Sequence, residues 1–177
     1  MPNIKKEISS LLLVRHHFVY AAVLLLGLIL FDVWKVIPPD QLRVRWLLII
    51  VLFAVTAILY QLASIFTRDI QHRTIIYSLI LIDIIIAASF VYLERGIAST
   101  SVALFAVPIA ASTSLKNARS TYTIALLSVA AYALSCVSYF LDNQFEEFRA
   151  RFYGTLIFHG VMMMVIALML VSGNKKN

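Results

Sequence analysis

Charged residues are scarce in this chain of 177 residues. Asp, Glu, Lys and Arg together make up 14% of it, whereas a soluble domain carries about 25%. Apolar residues make up 62%, and the mean hydropathy is +0.91. Because apolar runs of about 20 residues recur along the chain, each long enough to cross the hydrocarbon core of a bilayer, the sequence predicts an integral membrane protein.

Cysteine pairs and catalytic motifs are also missing. Cys136 is the single cysteine, which excludes a disulfide framework and a CxxC redox pair. No HExxH, GxSxG or P-loop pattern occurs. The Glu146, Glu147 and Arg151 positions match part of a pattern of prenyl-protein-type intramembrane proteases, but the downstream histidine pattern is incomplete. We interpret this stretch as a solvated linker and expect no enzymatic activity and no cofactor.

The formal net charge of +6 does not indicate a nucleic-acid partner, because the basic residues lie between apolar runs and form no stripe or tail. They are interpreted as topology signals. Lys5 and Lys6 precede an apolar segment without a small-residue cleavage site, which predicts an uncleaved signal anchor.

Apolar segments are predicted to form transmembrane helices, because a helix satisfies its own backbone hydrogen bonds in lipid. Six such segments cover residues 11–31, 46–66, 75–93, 100–115, 121–141 and 152–172. The fourth is short, rich in Ser and Thr, and interrupted by Pro108. The sequence therefore predicts an all-α polytopic protein, in which residues 1–177 form one bundle of six transmembrane helices with neighbours antiparallel.

The distribution of Lys and Arg predicts the orientation of this bundle. Nine of these residues fall on the side that holds both termini, and six fall on the other side. Because cytoplasmic loops carry the excess of basic residues, we expect both termini in the cytoplasm. The other side, which has fewer basic residues, also holds most of the acids, including Asp142.

One acid, Asp83, lies inside the apolar run LILIDIIIAASF. At about 1.5 Å per residue it lies roughly 12 Å from the inner end of its segment, near the midplane, where a charge costs about 3 kcal/mol. Candidate partners at a similar depth are Tyr20, Thr56, Tyr60, Ser128 and Tyr132. Three interpretations stay open: a bond that only holds helices together, a signalling or ligand site, and a proton or ion pathway.

The histidines do not indicate a metal or haem site. His16 and His17 lie near the inner end of the first segment, and His159 lies about a third of the way in from the outer end of the sixth. At about 1.5 Å per residue their levels differ by roughly 10 Å, too far for two ligands of one iron. We interpret His16 and His17, beside Arg15, as headgroup contacts or as a snorkelling cluster, and His159 as a signalling or ligand-site candidate. Pro108, flanked by small residues, predicts a kinked, closely packed helix that either moves or is a static kink.

The order of these features resembles the membrane input domain of six-helix sensor histidine kinases, the type that includes the pilus-regulating sensor kinases. Those domains have an Asp in the third helix, a Tyr-x-x-Gly-Gly turn followed by Ser-Pro, a Pro in the fourth helix, and an Arg before the fifth. The corresponding residues here are Asp83, Tyr92, Gly96, Ser99, Pro108 and Arg119. The pattern departs at Arg95, where a Gly is expected, and at Thr100, where a Pro is expected.

The resemblance implies a sensor or input module of a two-component system in the bacterial cytoplasmic (inner) membrane. It implies a homodimer that acts through a cytoplasmic kinase domain or partner. No phosphoacceptor helix or ATP-binding region is present in this sequence, so we expect the chain to sense or dock without phosphorylating. The alternatives are a small-solute-binding membrane subunit of a transporter and a structural or assembly protein.

Overall fold

The computed structural model describes residues 2–66, 69–143 and 150–174. These residues are almost entirely helical and contain no strand. Within them lie six α-helices, with bounds α1 Pro2–Val33, α2 Pro39–Ile65, α3 Asp69–Leu93, α4 Ala106–Ala111, α5 Ala118–Asp142 and α6 Ala150–Asn174. The all-α prediction is therefore confirmed.

The long helices α1, α2, α3, α5 and α6 follow the predicted apolar segments. Within the described residues, five helices are long and apolar enough to cross a membrane. Their candidate spans are Leu11–Val33, Gln41–Ile65, Asp69–Leu93, Ala118–Asp142 and Arg151–Gly173. These helices indicate a multi-pass membrane protein. The sixth span and the cytoplasmic location of both termini stay predictions.

The segment predicted as a fourth transmembrane helix, residues 100–115, is helical throughout but discontinuous in its winding, and we call it the discontinuous segment for that reason. Thr100–Phe105 is a 3₁₀ stretch, α4 is six residues long, and Ser112–Leu115 is 3₁₀ again. Pro108 is the third residue of α4 and lies in the middle of this helical stretch. A single helix over residues 100–115 is therefore confirmed, whereas a kink at Pro108 stays a prediction.

The chain divides into two compact units, and the first covers Met1–Leu79. In it α1 packs along α2. Its core consists of Val14, Leu59, Ala63, Ile75 and Leu79. The helix α2 begins with Pro39 after Pro38, which suits the chemistry of proline, because the fixed backbone angle of the ring fits the first helical position.

The second unit covers Ile80–Asn177. Within it α5 packs on α6, and α4 packs on both. Three contacts join the two helices: Val129 with Gly160, Tyr132 with His159, and Phe140 with Phe152. Residue numbers on α6 fall as those on α5 rise. The two helices are therefore antiparallel, as their short connection predicts.

Candidate functional site

A hydrogen bond between two polar side chains joins α5 and α6. The hydroxyl oxygen of Tyr132 lies 2.7 Å from Nδ1 of His159. Tyr132 is 1% exposed, and the two rings stand edge to face with centroids 5.4 Å apart. A tyrosine buried in an apolar bundle needs a partner for its hydroxyl, and His159 on the neighbouring helix supplies it. We call these two residues the α5–α6 pair.

The discontinuous segment also contacts this pair. Phe105, the last residue of the 3₁₀ stretch Thr100–Phe105, is fully buried, and its ring lies edge to face with that of Tyr132 at 6.2 Å. Edge-to-face geometry places the positive edge of one ring against the negative face of the other. Tyr132 therefore contacts two other elements, the 3₁₀ stretch before α4 and the helix α6.

Ser128 lies one turn before Tyr132 on α5, and it is fully buried. Other helical hydroxyls in the described residues, such as those of Ser89 and Ser135, donate to the backbone carbonyl four residues earlier. The Oγ atom of Ser128 has no hydrogen-bond partner among the described residues. Because a buried hydroxyl without a partner costs about 1–3 kcal/mol, Ser128 is an unusual position in this helix.

The remaining candidates from the sequence are divided between the two units. Asp83 is fully buried on α3 in the second unit. Tyr20 and Tyr60 belong to the first unit, where the ring of Tyr20 lies against His17 and that of Tyr60 against Phe18. Tyr60 is 44% exposed, so its side chain is not a core partner. The pairing of Asp83 with these residues stays a prediction.

The first unit contains a buried polar contact that the sequence did not predict. His17 is 6% exposed, and its Nδ1 lies 2.9 Å from Oγ1 of Thr56 on α2. The interpretation of His17 as a headgroup contact is therefore wrong, whereas His16 is exposed. A signal was available, because Val14, His17, Ala21 and Leu28 follow a spacing of three, four and seven residues, which places them on one face of α1.

The turn after α3 holds the residues of the predicted turn motif. The hydroxyl of Tyr92 donates to Oδ2 of Asp142 at 2.7 Å, which connects the end of α3 with the end of α5. Tyr92 also stands edge to face with Tyr139, at 6.1 Å between ring centroids. The partner Asp142 was not predicted, because the sequence indicated only that this acid lies on the outer side.

Ser99 is the N-cap of the 3₁₀ stretch Thr100–Phe105. Its hydroxyl donates to Oε2 of Glu94 at 2.8 Å and accepts the backbone N–H of Ser101 at 3.0 Å. The same N–H lies 3.2 Å from Oε2 of Glu94. A serine at the N-cap satisfies a backbone N–H that would otherwise lack an acceptor, so Ser99 fixes where the discontinuous segment begins.

Gly96 adopts the left-handed backbone conformation, with φ of +63°, and so does its neighbour Arg95, with φ of +70°. A Cβ atom added at Gly96 would lie 3.4 Å from Cα of Cys136 and 3.5 Å from Cβ of Tyr139. The backbone angle at Gly96 therefore favours glycine, and the residue lies in van der Waals contact with α5.

Within the described parts of the chain, no group of three or more His, Cys, Asp or Glu side chains could hold a metal ion. Glu146 and Glu147, interpreted from the sequence as part of a linker, lie outside the described residues. Comparison of the chain with protein-family models, with curated proteins and with solved structures found no match.

Proposed function

We propose that the chain is a membrane-embedded input module of a signal-transducing receptor, without catalytic activity of its own. In this proposal six segments cross the bacterial cytoplasmic membrane, both termini are cytoplasmic, and the module is a homodimer that acts on a cytoplasmic kinase domain or partner. The observation that carries the proposal is the α5–α6 pair, because it connects the discontinuous segment, through Phe105 and Tyr132, to the last helix of the chain.

The energy of this contact suits a switch. A hydrogen bond between membrane helices contributes only about 0.6–2 kcal/mol. A ligand that favours one of two packings by a few kcal/mol is enough to change which packing dominates. A bond of this size between Tyr132 and His159 stabilises one arrangement of α5 and α6 without making the other inaccessible.

The discontinuous segment is a suitable moving element. Hydrogen bonds in 3₁₀ stretches have poorer geometry than those of an α-helix, and such stretches often mark hinges. Here two of them flank the six residues of α4. Because α4 packs on both α5 and α6, a change in its packing reaches α6 directly, and α6 leads to the C-terminal end of the sequence.

The geometry of the turn supports the resemblance to sensor kinase input domains. That family has two glycines where this chain has Arg95 and Gly96, and both residues here have the positive φ that glycine favours. Ser99, at the serine position of the family pattern, caps the next stretch. Tyr92, at the tyrosine position, is anchored to Asp142.

Deletion and complementation in the native host test the proposal. We expect deletion of the gene to change transcription of a defined set of genes, and the wild-type chain to restore it. The variant Tyr132→Phe, which keeps the ring and removes the hydroxyl, should fail to restore the normal response. Tyr122→Phe, on the same helix, is the matched control and should behave as wild type at equal protein level.

Two outcomes would contradict the proposal. If deletion leaves transcription unchanged and instead abolishes uptake of a small solute, the transport-subunit alternative is correct. If Tyr132→Phe and Tyr122→Phe both restore the full response, the α5–α6 pair has no signalling role.

A further inference from the structure

An open groove of about 550 Å³ runs between α5 and α6 in the second unit. Its lining is apolar almost throughout. The α5 wall includes Tyr122, Leu126 and Val129, and the α6 wall includes Ile157, Val161 and Met164. In a membrane-spanning bundle an apolar groove on the outer surface faces lipid chains rather than water, so its occupant must itself be apolar where it touches this lining.

The length of the groove matches one leaflet of a bilayer. Its lining extends from Tyr122 to Ala133 on α5 and from Leu156 to Leu168 on α6. At about 1.5 Å per residue this is about 17 Å. Half of a hydrocarbon core of about 30 Å is about 15 Å. An acyl chain of one leaflet therefore fits the groove from end to end.

Two exposed basic residues, Lys116 and Arg119, precede the first groove-lining residue of α5 in the sequence. Arg119, Tyr122, Leu126, Val129 and Ala133 follow each other at intervals of three and four residues, so they lie on one face of α5. Arg119, whose side chain is exposed, therefore lies on the same face of α5 as the groove-lining residues, about one turn before Tyr122. Lys116, also exposed, lies three residues before Arg119. Basic residues beside grooves between transmembrane helices are typical contacts of lipid phosphates.

We propose that this groove is a binding site for an anionic phospholipid, with one acyl chain along α5 and α6 and the headgroup phosphate at Arg119 and Lys116. The apolar lining accounts for the chain and the two basic residues for the headgroup. This site does not depend on the signalling role proposed above, since it requires only that the second unit lies in a membrane.

Native mass spectrometry of the purified full-length protein tests the site. The protein is titrated with phosphatidylglycerol and with phosphatidylcholine that carry the same acyl chains. We expect the anionic lipid to bind about tenfold more tightly or better, because each basic residue near a lipid phosphate contributes about 1 kcal/mol. The double variant Lys116→Gln/Arg119→Gln should lose this preference. Arg43→Gln, an exposed change on α2, is the control and should keep it.

Matched tryptophan variants test the groove itself. Leu126→Trp and Val161→Trp each fill it from one wall, and we expect each to weaken both lipids at least fivefold. Their neighbours Leu127 and Met162 do not line the groove, so Leu127→Trp and Met162→Trp should leave binding within twofold of wild type. The two test variants lie on different helices. If one of them does not fold, the lipid affinity of the other still tests the groove.

Two results would overturn the proposal. Equal lipid affinity of the groove variants and their controls would mean that lipid binds elsewhere on the surface. Conversion of a dimer to a monomer by the groove variants, with lipid affinity unchanged, would mean that a second copy of the chain covers the groove.

Discussion

Gly96 lies against α5, where a Cβ atom added to it would lie 3.4 Å from Cα of Cys136, an ordinary van der Waals contact. The same glycine has φ of +63°. Replacing it by alanine therefore adds a side chain to a residue in the left-handed conformation, which strains the backbone although the space accommodates a methyl group. We expect Gly96→Ala to destabilise the second unit by about 1–2 kcal/mol.

The single cysteine provides the measurement for this prediction. Cys136 is fully buried, so a thiol-reactive dye reaches it only when the second unit opens. We expect Gly96→Ala to accelerate labelling by a factor of about 5–30, which corresponds to the loss of one to two kcal/mol. Gly27→Ala is the control, because Gly27 lies within α1 with no atom within 4 Å of an added Cβ. An unchanged labelling rate in Gly96→Ala would contradict the prediction.

A second prediction concerns the bond between Tyr132 and His159. Tyr132→Phe and His159→Phe each remove one partner, and we expect each to lower the free energy of unfolding by about 1–2 kcal/mol, since a buried group then lacks its partner. The double variant should cost less than the two single changes together. The difference, measured by a double-mutant cycle of melting in detergent, should be about 0.6–1.7 kcal/mol.

Tyr122→Phe serves as the control for this cycle, since it removes a tyrosine hydroxyl from the same helix, ten residues before Tyr132. Additive costs of the two single variants would mean that the short distance between the hydroxyl and Nδ1 carries no energetic coupling.

The sequence predicted the long helices because hydrophobic length alone defines them. Residues 121–141 were predicted as a span, and α5 covers Ala118–Asp142. The fourth segment was harder, because the sequence of residues 100–115 carries enough apolar residues for a helix. What the sequence does not give is the change of winding within it, from a 3₁₀ stretch that begins after the cap at Ser99 to the α-helical turn that contains Pro108.

Site partners could be predicted less well than helices. The rise per residue gives the depth of a side chain, but only packing gives its direction around the helix. Tyr132 and His159 were both candidates, yet nothing in the sequence indicated that they contact each other. The buried stripe of Ser128, Tyr132 and Ser135 on α5 is the signal that could have oriented Tyr132.

A third prediction concerns the cap at the start of the discontinuous segment. Ser99→Ala removes the oxygen that accepts the N–H of Ser101 and the hydroxyl that donates to Glu94. We expect a loss of about 1 kcal/mol and faster hydrogen exchange of the backbone amides from residues 101 to 105. Ser172→Ala, an exposed serine in the last turns of α6, is the control. Equal exchange in the two variants would contradict a capping role.

The fourth prediction assigns the proton on His17. Oγ1 of Thr56 donates to the backbone carbonyl of Leu52 at 2.7 Å, and a hydroxyl has one proton to donate. Since the same oxygen lies 2.9 Å from Nδ1 of His17, that nitrogen must be the donor. We therefore expect the ring of His17 to carry its proton on Nδ1.

Nitrogen NMR of histidine-labelled protein in bilayers distinguishes the two tautomers, and comparison with the variant His17→Gln assigns the signal. Thr56→Val keeps the shape of the side chain and removes its oxygen. We expect this variant to lower the free energy of unfolding by about 1 kcal/mol and to shift the Nδ1 signal, whereas Thr56→Ser should retain both. A neutral His17 protonated on Nε2 would show that Thr56 gives its proton to the imidazole rather than to Leu52.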